Sequence, residues 1–374
     1  MRKMLHVLTV LSALILGAQG LNAATLNVGL VISTTGKYAF VGVPLKEGIE
    51  MALAERQAAG DFGSDQVKLL FEDNGSDKDQ AINLINKMGI DPNILMTIGP
   101  IATSEAMATG PVAVDRKMVI FSTATSPKVL EAGPWIYKVT EIADSYMTAM
   151  AKYAVDTLKV KKCFSLVIRD NEGYILQKQV FVDYLKNNGV EVVADESVLS
   201  SDTDFTAIAT KIVDSEPDCL FLSNPPEQGA NIVIQARQAG LPGDVTIIGN
   251  TGMASVNYIK AGGSAIEGTY MPSDFVPTGV NQSSQDFISN YQARYGKDAK
   301  SWAAVGYTMG LVTAEAIRKA SPNPTREKIR QAFMQVSNLN VPLGSGKFSI
   351  DSERIPHYGA AVVKVANGEI VLAD

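Results

Sequence analysis

Ile94-Leu95-Met96-Thr97-Ile98-Gly99-Pro100-Ile101-Ala102-Thr103-Ser104 and Met118-Val119-Ile120-Phe121-Ser122-Thr123-Ala124-Thr125-Ser126-Pro127 follow one local design. Each is a short apolar run, long enough for a buried strand, that ends in small hydroxyl residues. The first run leads into Glu105-Ala106-Met107-Ala108, which has a helical pattern. A strand that stops at a helix N-terminus presents unpaired backbone N–H groups and the positive end of the helix dipole. Thr103 and Ser104 add hydroxyl donors there, and Thr123 and Thr125 add more from the neighbouring strand end. Such an uncharged donor cluster suits one carboxylate. The plainer reading makes Thr103 or Ser104 an N-cap and the other threonines loop residues; the stretch alone leaves both readings open.

Outward from this stretch the chain alternates strictly. Leu26–Ile32 and Val67–Asp73 read as strands, with helical spacing over Val43–Ala58, Asp77–Met88 and Glu105–Val114. The rhythm restarts after Ile136–Val139. Helices are expected at Asp144–Leu158, Tyr174–Asn187, Phe205–Asp214, Glu227–Ala239 and Val256–Ala261, and strands at Cys163–Ile168, Val190–Glu196, Cys219–Leu222 and Val245–Gly249. The expected fold class is therefore α/β, with two Rossmann-like lobes built on parallel sheets. Asp286–Tyr295, Ser301–Lys319 and Thr325–Val336 are helical without intervening strands, so they are expected to pack back onto the first sheet. Tyr358–Val365 and Glu369–Leu372, joined by Asn367-Gly368, read as a terminal hairpin.

The totals fit this division. A chain of 374 residues is long for a single core. A net charge of −6 argues against a nucleic-acid partner, which needs a basic excess to meet phosphates. With His6 in the leader and only His357 beyond it, a zinc site is not expected; metal and cofactor are both read as none. Arg2 and Lys3, the apolar Met4–Gly17 and the small residues of Ala18–Ala24 have the order of a secretory signal, with cleavage near Ala23 or Ala24. A protein exported to the periplasm is expected.

The chain resembles the branched-chain-amino-acid type of periplasmic binding protein, the substrate-binding component of ABC importers. The resemblance rests on Val28-Gly29-Leu30 with Thr35-Gly36 and Gly42, and on Phe71-Glu72-Asp73-Asn74 followed by Asp79-Gln80-Ala81. It rests also on Ile98-Gly99-Pro100 with Thr103-Ser104, on Ala124-Thr125-Ser126-Pro127, and on Gln235-Ala236-Arg237-Gln238-Ala239-Gly240. It implies a monomer of two lobes joined by a three-segment hinge, closing on a small ligand for delivery to a membrane ABC permease. The implied layout is a signal peptide at 1–23, a first lobe of 24–140 plus 274–351, and a second of 141–273 plus 352–374. Crossings are expected near Thr140–Ile142, Met271–Asp274 and Asp351–Pro356.

Residue by residue, the resemblance places Thr103, Thr123 and Thr125 at the family's carboxylate-holding positions, beside Ser104, and Tyr174 on a family tyrosine facing the ligand. Asn224 stands where amino-acid binders often have Tyr, and Thr251 where a Glu usually meets the ligand ammonium. A buried ammonium without a countercharge costs several kcal/mol, and threonine supplies none. The expected ligand is therefore a small carboxylate with an apolar or aromatic remainder, with Phe40 and Tyr38 as aromatic walls. A branched-chain amino acid is the alternative, and ligand sensing for a membrane receptor is a further role for the same fold. Glu172 or Glu227 would be the compensating acids, and Arg169 a contact for a second anionic group or a partner of Asp170.

An enzyme is the competing class. No G-x-G-x-x-G follows a strand, and no Walker loop, G-x-S-x-G or S-x-x-K is present. A Ser-His-acid triad would depend on His357 alone. No catalytic residue is assigned. Cys163 and Cys219 each begin an expected strand; because adjacent parallel strands rarely offer relaxed disulfide geometry, two free thiols are expected.

Overall fold

The computed structural model describes residues 23–277, 279 and 281–373. The expected leader lies outside these except for position 23. Alternating apolar runs and amphipathic stretches give β1 (Thr25–Ile32), α1 (Ala39–Ala58), β2 (Gln66–Asp73), α2 (Lys78–Ile90), β3 (Ile94–Ile98), α3 (Thr103–Asp115), β4 (Val119–Ser122) and β5 (Ile136–Lys138). The five strands form one parallel sheet in the order β2-β1-β3-β4-β5. β3 and β4 are buried along their whole length, as strands covered by helices on both faces must be.

The second block contains α4 (Ala143–Asp156), β6 (Lys162–Ile168), α5 (Glu172–Asn187), β7 (Glu191–Val198), α6 (Thr206–Asp214), β8 (Cys219–Ser223), α7 (Pro226–Gln238), β9 (Thr246–Gly249), α8 (Val256–Gly262) and β10 (Tyr270–Ser273). There follow α9 (Gln282–Tyr295), α10 (Ser301–Ala320) and α11 (Arg326–Phe333). Three short strands, β11 (Leu339–Asn340), β12 (Lys347–Ile350) and β13 (Pro356–His357), lead to the hairpin β14 (Ala361–Ala366) and β15 (Glu369–Leu372). The hairpin adds an antiparallel edge to the second sheet, whose order is β15-β14-β10-β9-β8-β6-β7.

The late helices return to the first sheet, as expected. Phe287, Val305, Met309, Ile317 and Phe333 share one core with Val28, Leu30, Ile98 and Phe121. α1 and α10 cross where two glycines remove the Cβ atoms. A methyl on Gly48 would lie 2.1 Å from the Ala303 carbonyl oxygen, and one on Gly306 2.1 Å from that of Leu45. Backbone meets backbone at this crossing, so the long helix α10 cannot be shifted without separating the pair.

The chain passes between the two sheets after β5, after β10 and before β14. The last crossing falls at Tyr358–Ala360 rather than Asp351–Pro356, because β13 stays paired with β12 on the first-lobe side. The crossings converge on buried charge. Glu141 Oε1 accepts from the N–H groups of Tyr358 (2.6 Å) and Gly359 (2.5 Å), and the Glu141 N–H donates to the Tyr358 hydroxyl at 3.1 Å. Lys138, with no exposed surface, donates to the Glu141 carbonyl at 3.0 Å. The Asp274 carboxyl is pushed up to about 7 by burial and by the charge of Glu141, against the hydrogen bond of Tyr358 and the charge of Lys138.

The expectation of two free thiols is also corrected. Cys163 and Cys219 are joined in a disulfide. β6 and β8 pair so that the two residues stand directly opposite, with Cα atoms 4.4 Å apart. Strand register, invisible in the linear chain, brings the sulfurs together.

Candidate functional site

The strands β2-β1-β3-β4-β5 of one sheet and β7-β6-β8-β9-β10 of the other share a single order. In each, the first strand of the block pairs on both sides, which leaves a crevice at its carboxyl end. The two crevices face one another across a cavity lined by residues of both lobes. Two helix N-termini point into it, α3 from one lobe and α5 from the other, through Thr103, Gly173 and Tyr174.

Local sequence explains why the Thr103 hydroxyl is free for the cavity. The N-cap of α3 is Ala102, one residue earlier than the capping reading requires. The carboxylate of Glu105 satisfies the Ala102 N–H at 3.2 Å and accepts from Asn74 at 3.1 Å. Burial raises the Glu105 carboxyl above its usual range, an effect these hydrogen bonds oppose. Thr103 Oγ1 instead accepts the Thr125 N–H at 3.2 Å, tying the two strand ends together. Thr123 donates its hydroxyl to the Ile101 carbonyl at 2.8 Å. Thr103, Thr123 and Thr125 all line the cavity.

Across the cleft, Asn171 caps α5. Its Oδ1 accepts the Gly173 N–H at 2.9 Å, and its Nδ2 donates to the Tyr38 hydroxyl of the other lobe at 2.6 Å. Burial pushes the Tyr38 phenol up to about 12 despite that bond. Lys128 and Glu172 form a second bridge between the lobes, 2.6 Å long and exposed. Thr251, in the turn after β9, donates through its N–H and its hydroxyl to Gln177 Oε1, at 3.4 and 3.3 Å. Gly173 is held against the opposing threonines: a methyl there would stand 2.9 Å from both Thr103 Oγ1 and Thr125 Oγ1. The cleft is closed.

Six of the eight expected residues, Phe40, Thr103, Thr123, Thr125, Tyr174 and Thr251, line this one cavity, and Tyr38 joins Phe40 as a wall. Two stand apart. Ser104 is half-buried outside the lining. Asn224 is fully buried behind it, its side chain donating to Gln228 at 2.8 Å while its backbone carbonyl accepts from Asn250. Sequence reasoning did not single out Trp302, Gln177 and Asn171. Trp302 arrives from α10, far along the chain. Asn171 carried a readable signal, an Asn just before an amphipathic helix.

No residue of the described lining carries a full charge at neutral pH. Glu172 is occupied by Lys128, and Glu227 accepts from Asn257 at 2.6 Å, so neither reaches the cavity. Arg169 donates to the Ser197 carbonyl and pairs neither with Asp170 nor with the cleft. His357 is bonded to Asp351 at 2.8 Å. Among the described residues no cluster of His, Cys, Asp and Glu is disposed to hold a metal, and no helix is long and apolar enough to cross a membrane.

A family model described as periplasmic binding protein matches residues 25–369. The Leu/Ile/Val-binding protein BraC3 of Rhizobium johnstonii is 23% identical over 356 residues, 94% of either chain. A leucine-binding protein, LivK, from Thermotoga maritima has the same fold with a TM-score of 0.86, at 24% identity over 93% of this chain and 98% of its own. An ABC-transporter solute-binding protein from R. palustris, solved with benzoate, gives 0.82 at 18% identity, covering 93% and 95%. Two sheets of like order facing each other across a closed neutral cavity, with a family match along nearly all the described chain, make this protein a member of the periplasmic binding proteins, with the type I fold of their Leu/Ile/Val-binding branch.

Proposed function

We propose that this protein captures a small carboxylate with an apolar or aromatic remainder between its two lobes and delivers it to a membrane ABC permease. The observation that carries the reading is the charge balance of the cavity. Two helix N-termini and several hydroxyls face it, while no acidic side chain of the described residues does. Helix N-termini and neutral donors stabilise an anion without a buried cation. They disfavour an ammonium, which would be buried unpaired at a cost of several kcal/mol. Phe40, Tyr38, Tyr174 and Trp302 supply walls for the apolar part. Binding requires no chemical step, and closure follows from contacts made to both lobes at once.

The names of the relatives favour a second reading, in which the ligand is a branched-chain amino acid. Isothermal titration against benzoate, 3-phenylpropionate, 4-methylpentanoate, leucine and valine separates the two. Micromolar binding of a simple acid, with leucine and valine at least tenfold weaker, is the expected result. Tight leucine binding with all three simple acids silent would remove the proposal. Family membership implies the periplasm; cleavage after Ala23 or Ala24 is our reading, and the intact mass of the exported chain tests it.

A further inference from the structure

Tyr38 stands just before α1 and lines the cavity. Its hydroxyl lies 2.6 Å from Asn171 Nδ2 in the opposite lobe. The direction of that bond is fixed by the other end of the asparagine amide. Asn171 Oδ1 accepts the Gly173 N–H at 2.9 Å, so the group that faces Tyr38 is the NH2, which can only donate. The phenol oxygen therefore accepts, and its own hydrogen remains to be placed. No acceptor among the described residues takes it. The acids whose charge reaches Tyr38 are Glu105 and Asp170. Glu105 is engaged by Asn74 and Ala102, and Asp170 by Ser200. Burial keeps the phenol in its neutral, proton-bearing form.

This spare O–H belongs to the cavity. Tyr38 also borders an outer groove between the lobes, but Asn171, which its hydroxyl touches, lines the cavity and not that groove. From the Asn171 amide the path to the threonines is short. A methyl on Gly173 would lie 3.4 Å from Asn171 Oδ1 and 2.9 Å from both Thr103 Oγ1 and Thr125 Oγ1. One glycine thus separates the asparagine that meets the phenol from the hydroxyls proposed to hold the carboxylate. A carboxylate offers two oxygens with about four acceptor positions, so one oxygen can take a threonine and a helix N-terminus while the other takes Tyr38.

We infer that the Tyr38 hydroxyl donates directly to the carboxylate of the bound ligand, and that the same oxygen, by accepting from Asn171, ties that carboxylate to the opposite lobe. This rests on the carboxylate reading above and adds to it a donor that also bridges the cleft. An O–H given to an anion leaves more negative charge on the phenol oxygen and makes it a better acceptor, so an anionic ligand strengthens the bond from Asn171. A neutral ligand of the same shape does so less.

The test is calorimetric titration of the full mature chain with the tightest acid among benzoate, 3-phenylpropionate and 4-methylpentanoate, and with the primary amide of that acid. Two variants are compared. Tyr38→Phe removes both the donor and the bond between lobes. Asn171→Ser keeps an oxygen to cap α5 and removes only the bond between lobes. Tyr38→Phe should weaken the acid at least tenfold more than Asn171→Ser does, as expected for a lost hydrogen bond to a charged group. It should also lower the preference for acid over amide at least threefold. Should Tyr38→Phe fail to fold, Tyr38→Met removes the same hydroxyl and the fall in that preference is read instead. A smaller difference between the variants, or an unchanged preference for acid over amide, overturns this inference and leaves the carboxylate reading standing. An amide that binds the wild type as tightly as its acid, or no binding of any acid in the panel, overturns both.

Discussion

Gly173 makes closure of the cleft testable without touching a ligand-facing side chain. In Gly173→Ala the new methyl would stand 2.9 Å from Thr103 Oγ1 and from Thr125 Oγ1, where relaxed contact begins at 3.4 Å. Both contacts must open by about 0.5 Å. Thr103 cannot simply turn aside, because its Oγ1 holds the Thr125 N–H. Either that hydrogen bond is lost, at about 1 kcal/mol, with a threonine forced off its rotamer at about 1 kcal/mol more, or the lobes stay further apart. A penalty of about 2 kcal/mol on the closed form corresponds to binding roughly thirtyfold weaker. The open form makes no such contact, and alanine favours the first turn of α5 over glycine by roughly 0.5–1 kcal/mol. The ligand-free variant should therefore melt no lower than wild type. Calorimetry with the tightest acid of the panel, together with thermal unfolding of the free protein, measures both terms. Affinity within threefold of wild type would refute the account of how the lobes meet, and weak binding with a lowered melting temperature would mean a damaged fold instead.

Three further outcomes follow from the geometry. Thr103→Val removes an anchoring hydroxyl at constant shape and should weaken binding of any carboxylate by roughly 10- to 100-fold, the range for a hydrogen bond to a charged group; Thr103→Ser should stay within a few-fold, and equal losses in the two variants would count against the hydroxyl. Arg326 donates to the carbonyls of Gly89, Asp91, Ile94 and Arg116, gathering four segment ends beneath the first sheet. Arg326→Ala should cost about 3 kcal/mol in denaturant unfolding, with Lys a poor substitute because it lacks the planar fork; an unchanged midpoint would show the clamp to be idle. Asp274, raised from 3.8 to about 7 in the folded chain, holds its proton more tightly folded than unfolded. Its contribution to stability is thus present below about pH 4 and lost as pH rises through about 7. Asp274→Asn should flatten the fall in stability between those values, and a pH profile superposable on wild type would exclude Asp274 as its source.

Local sequence carried the architecture because each element's periodicity is set by its own burial. Short apolar runs such as Ile94–Ile98 and Val119–Ser122 can only be strands covered on both faces, and their alternation with amphipathic helices requires parallel order. The cavity-lining threonines were legible for the same reason. Thr103 and Thr125 sit at strand ends, where a parallel sheet opens its crevice. The opposite side was less legible because its geometry is made by distant segments. Gln177, Thr251 and Trp302 meet only after the chain has crossed the hinge and returned, and nothing local marks Trp302 as a wall rather than core. Asn224, adjacent to a strand end like the threonines, lies behind the cavity, where its side-chain Nδ2 donates to Gln228 and its backbone carbonyl accepts from Asn250. Strand register, a relation between segments 56 residues apart, likewise set Cys163 against Cys219. Composition and spacing determined two lobes and a strand end that meets the cleft; which side chains face each other across the closed cleft was decided only by the tertiary structure, because a contact between lobes depends on how the lobes are placed and leaves no period in the sequence of either.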